Sequence, residues 1–284
     1  MAMIDVNGIR VYHEVHGPED APWVLNIGGS GGDLRRTFPD RSPLNTSFRV
    51  LHYDQRGLGR TSRPEVEYTM SDYADDAAAL IDSVVRTGGD ERCHVVGTSF
   101  GGMVALELAA RRPDLVDRLV VLVSSPGGDH PSYPLHELEL LPPDERLRRR
   151  LPLLDTRWDP DADEPIPDLG AVYDHIVAQA RDVVPVDVAM GAARQLAARR
   201  GHDVVDRLRT IDRPTLVGCG RFDGIAPVEN SEFMVERLPD ARLEVFEGGH
   251  LVMFQDRRLW ATVISFLADG SAAVSDITRV APSP

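Results

Sequence analysis

Short apolar runs that end in glycine-rich loops alternate along this chain with segments of helical periodicity. The run Trp23–Ile27 stops at residues 28–32, which read GGSGG, and the run Phe48–Asp54 stops at residues 55–59, which read QRGLG. Short apolar runs of this kind are typical of strands buried on both faces, as in parallel sheets. Alternating strands and helices then require right-handed crossovers. The sequence therefore predicts an α/β fold with a mostly parallel central sheet flanked by helices.

A proline-rich segment interrupts this alternation. Residues 126–185 hold 10 of the 21 prolines, a density that prevents long regular elements. The strand–helix pattern then resumes and continues almost to the end of the chain. We therefore predict one α/β core formed by residues 1–125 and 210–268, with residues 126–209 inserted as a mainly helical cap. Residues 269–284 are small and polar, and we predict that they form a flexible C-terminal tail.

The individual elements follow from turn signals and periodicity. The predicted β elements are a hairpin over residues 3–14 that turns at Asn7-Gly8, and strands Cys93–Gly97, Leu119–Ser124, Thr215–Cys219 and Arg242–Phe246. The predicted helices begin near Ser71 or cover Phe100–Arg112, Leu169–Asp182, Val186–Arg200, Val228–Arg237 and Arg258–Ala268. Ser71 is the predicted N-cap of the first of these helices, because serine side chains accept hydrogen bonds from the free N–H groups of a helix start.

The charge balance excludes two classes of partner. All 31 basic residues are arginines, against 45 aspartates and glutamates, and the net charge is −14. Nucleic acids and anionic membranes both attract basic surfaces, so we expect neither as a partner. The sequence instead predicts a small-molecule substrate and leaves the oligomeric state open.

The cysteines and the N-terminal residues indicate a cytoplasmic location. Cys93 and Cys219 are the only cysteines, too few for a disulfide framework or a cysteine-rich metal site. The opening residues lack the basic region and apolar stretch of a secretory signal. No apolar run in the sequence is long enough to cross a bilayer.

The residues Gly97-Thr98-Ser99-Phe100-Gly101 match the pattern G-x-S-x-G. They follow an apolar strand and open a helix, which is the context of a nucleophile elbow. Such a turn strains the serine backbone and raises its hydroxyl above the edge of the sheet. A glycine-rich turn that binds phosphate or only packs is the alternative interpretation. The context favours Ser99 as a catalytic nucleophile.

A serine nucleophile of this kind needs an acid and a base later in the chain, in the order Ser, Asp, His. Asp223 follows the predicted strand Thr215–Cys219, and His250 follows the predicted strand Arg242–Phe246. Both therefore lie at the carboxyl ends of strands, where open α/β sheets bind ligands. His250 is the predicted base and Asp223 the predicted acid, with Asp129 as the alternative acid.

Acyl transfer also requires N–H donors for the negative charge that develops on the substrate oxygen. Phe100, the residue after the nucleophile, supplies one backbone N–H. The second is expected from the glycine loop at residues 28–32, although such a loop could also hold a phosphate. The chain has no lysine for a phosphate-loop motif and no cluster with metal-ligand spacing. We therefore expect neither a cofactor nor a metal.

These residues give the chain a resemblance to the α/β-hydrolase fold superfamily, over about residues 3–268. Besides the elbow, three segments resemble motifs of that family: Asp54–Ser62 for D-x-R-G-x-G-x-S, Gly220–Asp223 for G-x-x-D, and Gly248–His250 for the terminal histidine segment. Gly28-Gly29 stands where many members have His-Gly, a feature in which the chain resembles methyl esterases that act on aromatic polyketides. The resemblance implies that Ser30 supplies the second oxyanion N–H, and that residues 54–56 support the structure and do not bind substrate.

The motifs together predict a serine hydrolase that cleaves a carboxylic ester or lactone of a small to medium, apolar molecule through an acyl-enzyme. Three other functions are alternatives, although an intact triad argues against the last of them. They are hydrolysis of a C–C bond in a dienoic ring-cleavage product, a cofactor-free cyclase or acyltransferase reaction, and ligand binding without catalysis. The sequence does not distinguish the ester from the C–C substrate, because both are attacked by the same Ser-Asp-His triad.

Overall fold

One eight-stranded sheet organises the chain. The structure, a computed structural model, describes residues 2–89, 91–159 and 185–268. The strands are β1 (Ala2–Val6), β2 (Ile9–His16), β3 (Trp23–Ile27), β4 (Arg49–Tyr53), β5 (Cys93–Thr98), β6 (Val116–Leu122), β7 (Thr215–Gly220) and β8 (Ala241–Phe246). Their spatial order is β1-β2-β4-β3-β5-β6-β7-β8, and all neighbours from β4 to β8 run parallel. The mostly parallel sheet predicted from the sequence is therefore confirmed.

The first two strands form the predicted hairpin. Val6 pairs with Ile9, so only Asn7 and Gly8 make the turn, with φ angles of 45° and 74°. Two successive positive φ angles match the right-handed twist of the flanking strands, which explains the Asn-Gly sequence. β2 then runs antiparallel to β4 and joins the hairpin to the parallel part of the sheet.

Helices cover both faces of the sheet. They are α1 (Leu34–Thr37), α2 (Met70–Leu80), α3 (Phe100–Arg111), α4 (Leu135–Leu138), α5 (Pro143–Leu154), α6 (Val186–Arg200), α7 (Val228–Arg237), α8 (Val252–Gln255) and α9 (Arg258–Ala268). Alternate strand residues point to opposite faces. Leu25 packs with α2 and α3 on one face, and its neighbour Val24 packs with α9 on the other.

The start of α2 differs from the prediction. Thr69, not Ser71, is the N-cap, and its Oγ1 accepts the N–H of Asp72 at 3.2 Å. The Asp72 carboxylate in turn accepts the N–H of Thr69 at 2.8 Å. This reciprocal pair satisfies two free donors, whereas a cap at Ser71 would satisfy one. The Ser71 hydroxyl instead accepts from Arg111.

The chain between β6 and β7 adds no strand to the sheet in its described residues. It contains α4, α5 and α6, and α6 coincides with the helix predicted over Val186–Arg200. The helix predicted over Leu169–Asp182 and the predicted tail at residues 269–284 lie outside the described residues. No helix that the structure describes has the length and apolar character needed to cross a membrane.

α6 approaches the core through a glycine contact. A Cβ atom on Gly191 would lie 1.9 Å from the carbonyl oxygen of Gly57, which belongs to the loop after β4. Gly57 has a φ of 82°, so its peptide is turned into a conformation that favours glycine. Two backbones therefore touch at this point, with no room for a side chain on either.

This contact predicts that Gly191→Ala destabilises the protein. The added methyl group must displace α6 or the loop after β4, which we expect to lower the free energy of unfolding by about 1–3 kcal/mol. Denaturant melts would measure the change. Gly201→Ala is the matched control, because a Cβ there meets only the Ala198 carbonyl oxygen at 3.6 Å. Equal stability of the two variants would contradict the packing argument.

Candidate active site

Ser99 occupies a strained turn between β5 and α3. Its φ and ψ are 55° and −117°, a conformation that residues with side chains rarely adopt. Its N–H donates to the carbonyl oxygen of Leu122, at 2.8 Å, and its own carbonyl oxygen accepts from the Ser124 hydroxyl, also at 2.8 Å. Hydrogen bonds from the end of β6 therefore hold the strained peptide on both sides.

The glycines of the G-x-S-x-G motif are required by close backbone packing. A Cβ on Gly97 would lie 2.3 Å from the Gly101 carbonyl oxygen, and a Cβ on Gly101 would lie 2.1 Å from that of Ile27. A Cβ on Gly102 would lie 2.6 Å from Ser124 Cβ. The sharp turn is possible because β3, β5 and α3 meet here without intervening side chains.

The three predicted triad residues are brought together at the carboxyl ends of the strands. Ser99 Oγ lies 3.0 Å from His250 Nε2, and His250 Nδ1 lies 2.8 Å from Asp223 Oδ2. All three residues are buried. A carboxylate only accepts hydrogen bonds, so Nδ1 carries the proton and Nε2 is left to accept from Ser99. This is the tautomer that a general base for Ser99 needs.

The loop after β7 fixes the Asp223 carboxylate. Its Oδ1 accepts the backbone N–H groups of Ile225 and Ala226, at 2.8 and 2.9 Å. With Oδ1 satisfied by the backbone, Oδ2 is directed to His250. Asp129, the alternative acid, is exposed to solvent.

The loop that carries His250 is held by the chain between β6 and β7. The N–H of His250 donates to the carbonyl oxygen of Leu154, the last residue of α5. The N–H of Gly249 donates to Gln255 Oε1, and Gln255 Nε2 donates to Asp155 Oδ2, each at 2.8 Å. A Cβ on Gly249 would lie 2.0 Å from the Leu154 carbonyl oxygen, so the two segments are in backbone contact.

This series of hydrogen bonds ends at Asp155, whose carboxylate is itself held in place. Its side chain is fully buried and binds Arg157 through two oxygens, at 2.9 and 2.7 Å. Burial acts to raise the pKa of the Asp155 carboxyl, but the hydrogen bonds from Arg157 and Gln255 outweigh it and lower that pKa. No motif in the sequence indicated a role for Asp155 or Gln255, because their contact joins residues 100 positions apart.

The glycine loop after β3 lies beside Ser99. A Cβ on Gly29 would be 3.6 Å from Ser99 Cβ. The core holds both ends of the loop: Gln55 Nε2 donates to the Gly28 carbonyl oxygen at 2.8 Å, and the Leu34 N–H donates to Asp54 Oδ1 at 2.6 Å. The expected structural role of residues 54–56 agrees with these contacts.

The arginine of the same segment is also engaged in the core. Arg56 donates to both carboxylate oxygens of Asp76 in α2, at 2.8 and 2.7 Å. Asp76 accepts a third bond from Asn7 in the hairpin turn, at 2.8 Å. Asp76 therefore joins α2 both to the loop after β4 and to the first hairpin.

In the described parts of the chain, no group of three or more His, Cys, Asp or Glu side chains could hold a metal ion. Two buried histidines outside the triad have other contacts. His94 pairs with Asp117 at 3.2 Å, and His202 contacts the Ser125 carbonyl oxygen. Burial lowers the pKa values of His52 and His202 to about 4, so both are neutral near pH 7.

The sheet order, the serine turn after β5, and the acid and histidine after β7 and β8 define the α/β-hydrolase fold. A family model described as "Alpha/beta hydrolase family" matches residues 15–262. The chain belongs to this family and is a hydrolase. This membership confirms the resemblance found in the sequence.

The matches to relatives and to solved structures cover nearly the whole chain. "Putative carbamate hydrolase RutD" from Caulobacter sp. (strain K31) is 32% identical over 93% of this chain and 97% of its own length. The enol-lactonase from Burkholderia xenovorans LB400 superposes with a TM-score of 0.77 at 24% identity, covering 94% of this chain and 100% of its own. The meta-cleavage product hydrolase CumD from Pseudomonas fluorescens IP01 gives a TM-score of 0.74 at 24% identity, over 94% and 97% of the two chains. The two structural likenesses establish the fold alone.

The contacts of Asp155 predict a pH-dependent loss of stability in Asp155→Asn. The folded-state pKa is lowered, so the ionised carboxylate stabilises the protein at neutral pH and loses that effect as the pH falls. We expect Asp155→Asn to lower the Tm at pH 7, with the difference from the original protein shrinking below about pH 4. Because the His250 loop loosens, kcat should also fall, by roughly tenfold.

Thermal melts between pH 3 and 8 and steady-state kinetics would test this. Asp144→Asn is the control, since Asp144 is exposed in the first turn of α5. A Tm difference that does not depend on pH would contradict the role of the charge.

Proposed function

We propose that the protein is a serine hydrolase that cleaves a carboxylic ester or lactone through an acyl-enzyme. The observation that carries the proposal is the continuous hydrogen-bonded series from Ser99 Oγ through His250 to Asp223. Ser99 Oγ attacks the substrate carbonyl carbon while His250 Nε2 takes its proton. The protonated imidazole is stabilised by Asp223 and then protonates the leaving alcohol. His250 next activates a water molecule, which releases the acid and restores Ser99.

The backbone N–H groups of Phe100 and Ser30 are the proposed oxyanion donors. Phe100 begins α3, so its N–H is one of the free donors at a helix start. Gly31, an alternative donor in the glycine loop, already donates its N–H to Gln195 Oε1 at 2.8 Å. The position of Gly29 beside Ser99, where a Cβ on Gly29 would lie 3.6 Å from Ser99 Cβ, supports placing the donor at this end of the loop.

The apolar character of the proposed substrate is supported by the surroundings of the triad. Ile225, in the Asp223 loop, belongs to an apolar cluster with residues of α4 and α5. Leu251, the residue after His250, packs against the same cluster. Residues 126–159 and 185–209 are therefore proposed to act as a cap that surrounds an apolar group of the substrate.

We also propose that the substrate is a small molecule, that the reaction needs no cofactor, and that the protein is cytoplasmic. Cys93 and Cys219 are both free and buried, which suits a reducing compartment. A carbamate is a second candidate substrate, because a relative of nearly equal length carries that name. Carbamates, esters and the C–C substrates of dienoic ring cleavage all present a carbonyl carbon to the same nucleophile.

Ser99→Ala is expected to abolish covalent labelling by a fluorophosphonate and to lower kcat by about 10⁴-fold or more. Without the hydroxyl, only binding and the oxyanion donors still assist the reaction. Mass mapping of the labelled protein would locate the adduct at Ser99. Ser47→Ala, in an exposed turn before β4, should label and turn over like the original protein. Near-normal turnover by a folded Ser99→Ala protein would contradict the proposal.

A substrate panel tests the kind of bond. It would contain aryl esters of increasing acyl length, a lactone, an aryl carbamate and a dienoic diketone. We expect the largest kcat/KM for an ester or lactone, increasing with apolar acyl length because the Ile225 cluster is apolar. A larger kcat/KM for the carbamate or for the diketone would replace the ester assignment.

Two substitutions of Ser30 distinguish a role of its backbone N–H from a role of its hydroxyl. Ser30→Ala keeps the N–H, so kcat should fall by less than about tenfold. Ser30→Pro removes it and should lower kcat by about 10²–10³-fold, the usual loss for one oxyanion donor. Thermal melting must first show that the proline variant folds. An active, folded Ser30→Pro enzyme would assign the donor elsewhere in the loop.

A further inference from the structure

Gln195 joins α6 to the middle of the glycine loop. Its Oε1 accepts the N–H of Gly31 at 2.8 Å, across 164 positions of the chain. The side chain is completely buried, on the face of α6 that also buries Gly191 and Arg199. Since Gly31 N–H is a donor, the oxygen end of the amide must face it.

α6 is held on both sides of Gln195. One turn earlier, Gly191 touches the Gly57 carbonyl through the backbone. One turn later, the Arg199 guanidinium donates to the Tyr133 carbonyl oxygen at 2.8 Å and to Ser132 Oγ at 2.7 Å. The Gln195 amide therefore reaches the loop from a helix whose position is fixed independently.

The glycine loop needs this contact to fix its central peptide. Gln55 and Asp54 hold the loop at its ends, through Gly28 and Leu34, and the Gly32 N–H donates to the Gly29 carbonyl oxygen across the turn, at 3.4 Å. That bond alone does not fix the central Ser30–Gly31 peptide, because the central peptide of a four-residue turn can face either way, and Gly31, with a φ of 71°, has no side chain that would favour one of them. The bond to Gln195 turns the Gly31 N–H toward α6 and so fixes the backbone conformation of Ser30, which follows Gly29 beside Ser99.

Gln195 is poorly suited to a purely stabilising role. Its Nε2 is buried without a hydrogen-bond partner in the part of the chain that the structure describes. A buried amide satisfied at one end only stabilises a fold weakly, because the loss of hydration at the other end offsets the bond. An apolar side chain of similar volume would pack there at little cost in stability, because Gly31 is exposed and water can replace the lost acceptor of its N–H.

We propose that Gln195 is a positioning residue that acts through the Ser30 N–H: it holds the glycine loop in the orientation that stabilises the oxyanion. The inference rests on the proposed function and extends it, because it makes α6 part of the catalytic apparatus and not only a cover over the substrate. Gln195 touches neither the substrate nor Ser99 in this role.

Gln195→Met removes the acceptor and keeps the volume. We expect kcat for an aryl ester to fall by about 10–10²-fold, up to the loss for a missing oxyanion donor. KM should change by less than about twofold, and the Tm should stay close to that of the original protein. Ala197→Met is the control, because Ala197 is exposed on the same helix, and it should leave kcat and Tm unchanged.

A double-mutant cycle with Ser30→Pro tests whether Gln195 acts through the Ser30 N–H. If it does, adding Gln195→Met to Ser30→Pro lowers kcat by less than about threefold more, because the donor is already gone. Multiplicative losses in the double variant, or a kcat loss that follows a fall in Tm, would overturn the proposal.

Comparing an ester with its thionoester, in which sulfur replaces the carbonyl oxygen, tests the same point without the proline variant. Sulfur accepts hydrogen bonds weakly, so the ratio of ester to thionoester rates reports the strength of the oxyanion donors. We expect this ratio to fall in Gln195→Met and to stay constant in Ala197→Met. An unchanged ratio in Gln195→Met, with Ser99→Ala inactive, would reject the positioning role alone. An active Ser99→Ala protein would reject the proposed function itself.

Discussion

The strained peptide at Ser99 is the constraint on which the rest of the structure depends. A residue other than glycine with a φ of 55° needs compensating contacts, and the end of β6 supplies them through Leu122 and Ser124. The same turn forces β3, β5 and α3 so close together that only glycine fits at positions 97 and 101. The close packing of β3, β5 and α3 and the contacts from the end of β6 therefore all depend on the backbone conformation of Ser99.

The chain between β6 and β7 contributes to the geometry of the site from two directions. Leu154 and Asp155 hold the His250 loop, and Gln195 holds the glycine loop beside Ser99. Leu154 and Gln195 accept hydrogen bonds from backbone N–H groups of the two loops, and Asp155 acts on the Gly249 N–H through Gln255. These bonds therefore fix the conformations of both loops. Movement of this segment would consequently alter the base and the glycine loop together.

Local Asp-x-Arg pairs recur beside these loops. In each pair the aspartate accepts the backbone N–H two positions later and binds the arginine through both carboxylate oxygens: Asp33 with Arg35, Asp155 with Arg157, and Asp256 with Arg258. The planar guanidinium fork matches a carboxylate in a way that an ammonium group does not. The arginine hydrogen bond is the main reason that the pKa of Asp256 is lowered to about 2. These pairs remain ionised at neutral pH and keep the adjoining turns in place.

The sequence by itself determined the parallel sheet, the hairpin at Asn7-Gly8 and the family, and it predicted which serine, aspartate and histidine would meet. These features depend on local periodicity, glycine turns and strand ends, and a parallel sheet necessarily brings its strand ends to one edge. It misplaced the start of α2, because the reciprocal bond between Thr69 and Asp72 depends on two side chains together. Only the tertiary structure decided that Asp155, Gln255 and Gln195 support the site. Their bonds join residues 100 or more positions apart or lie in segments without a motif, and no local pattern specifies a hydrogen bond between distant parts of the chain.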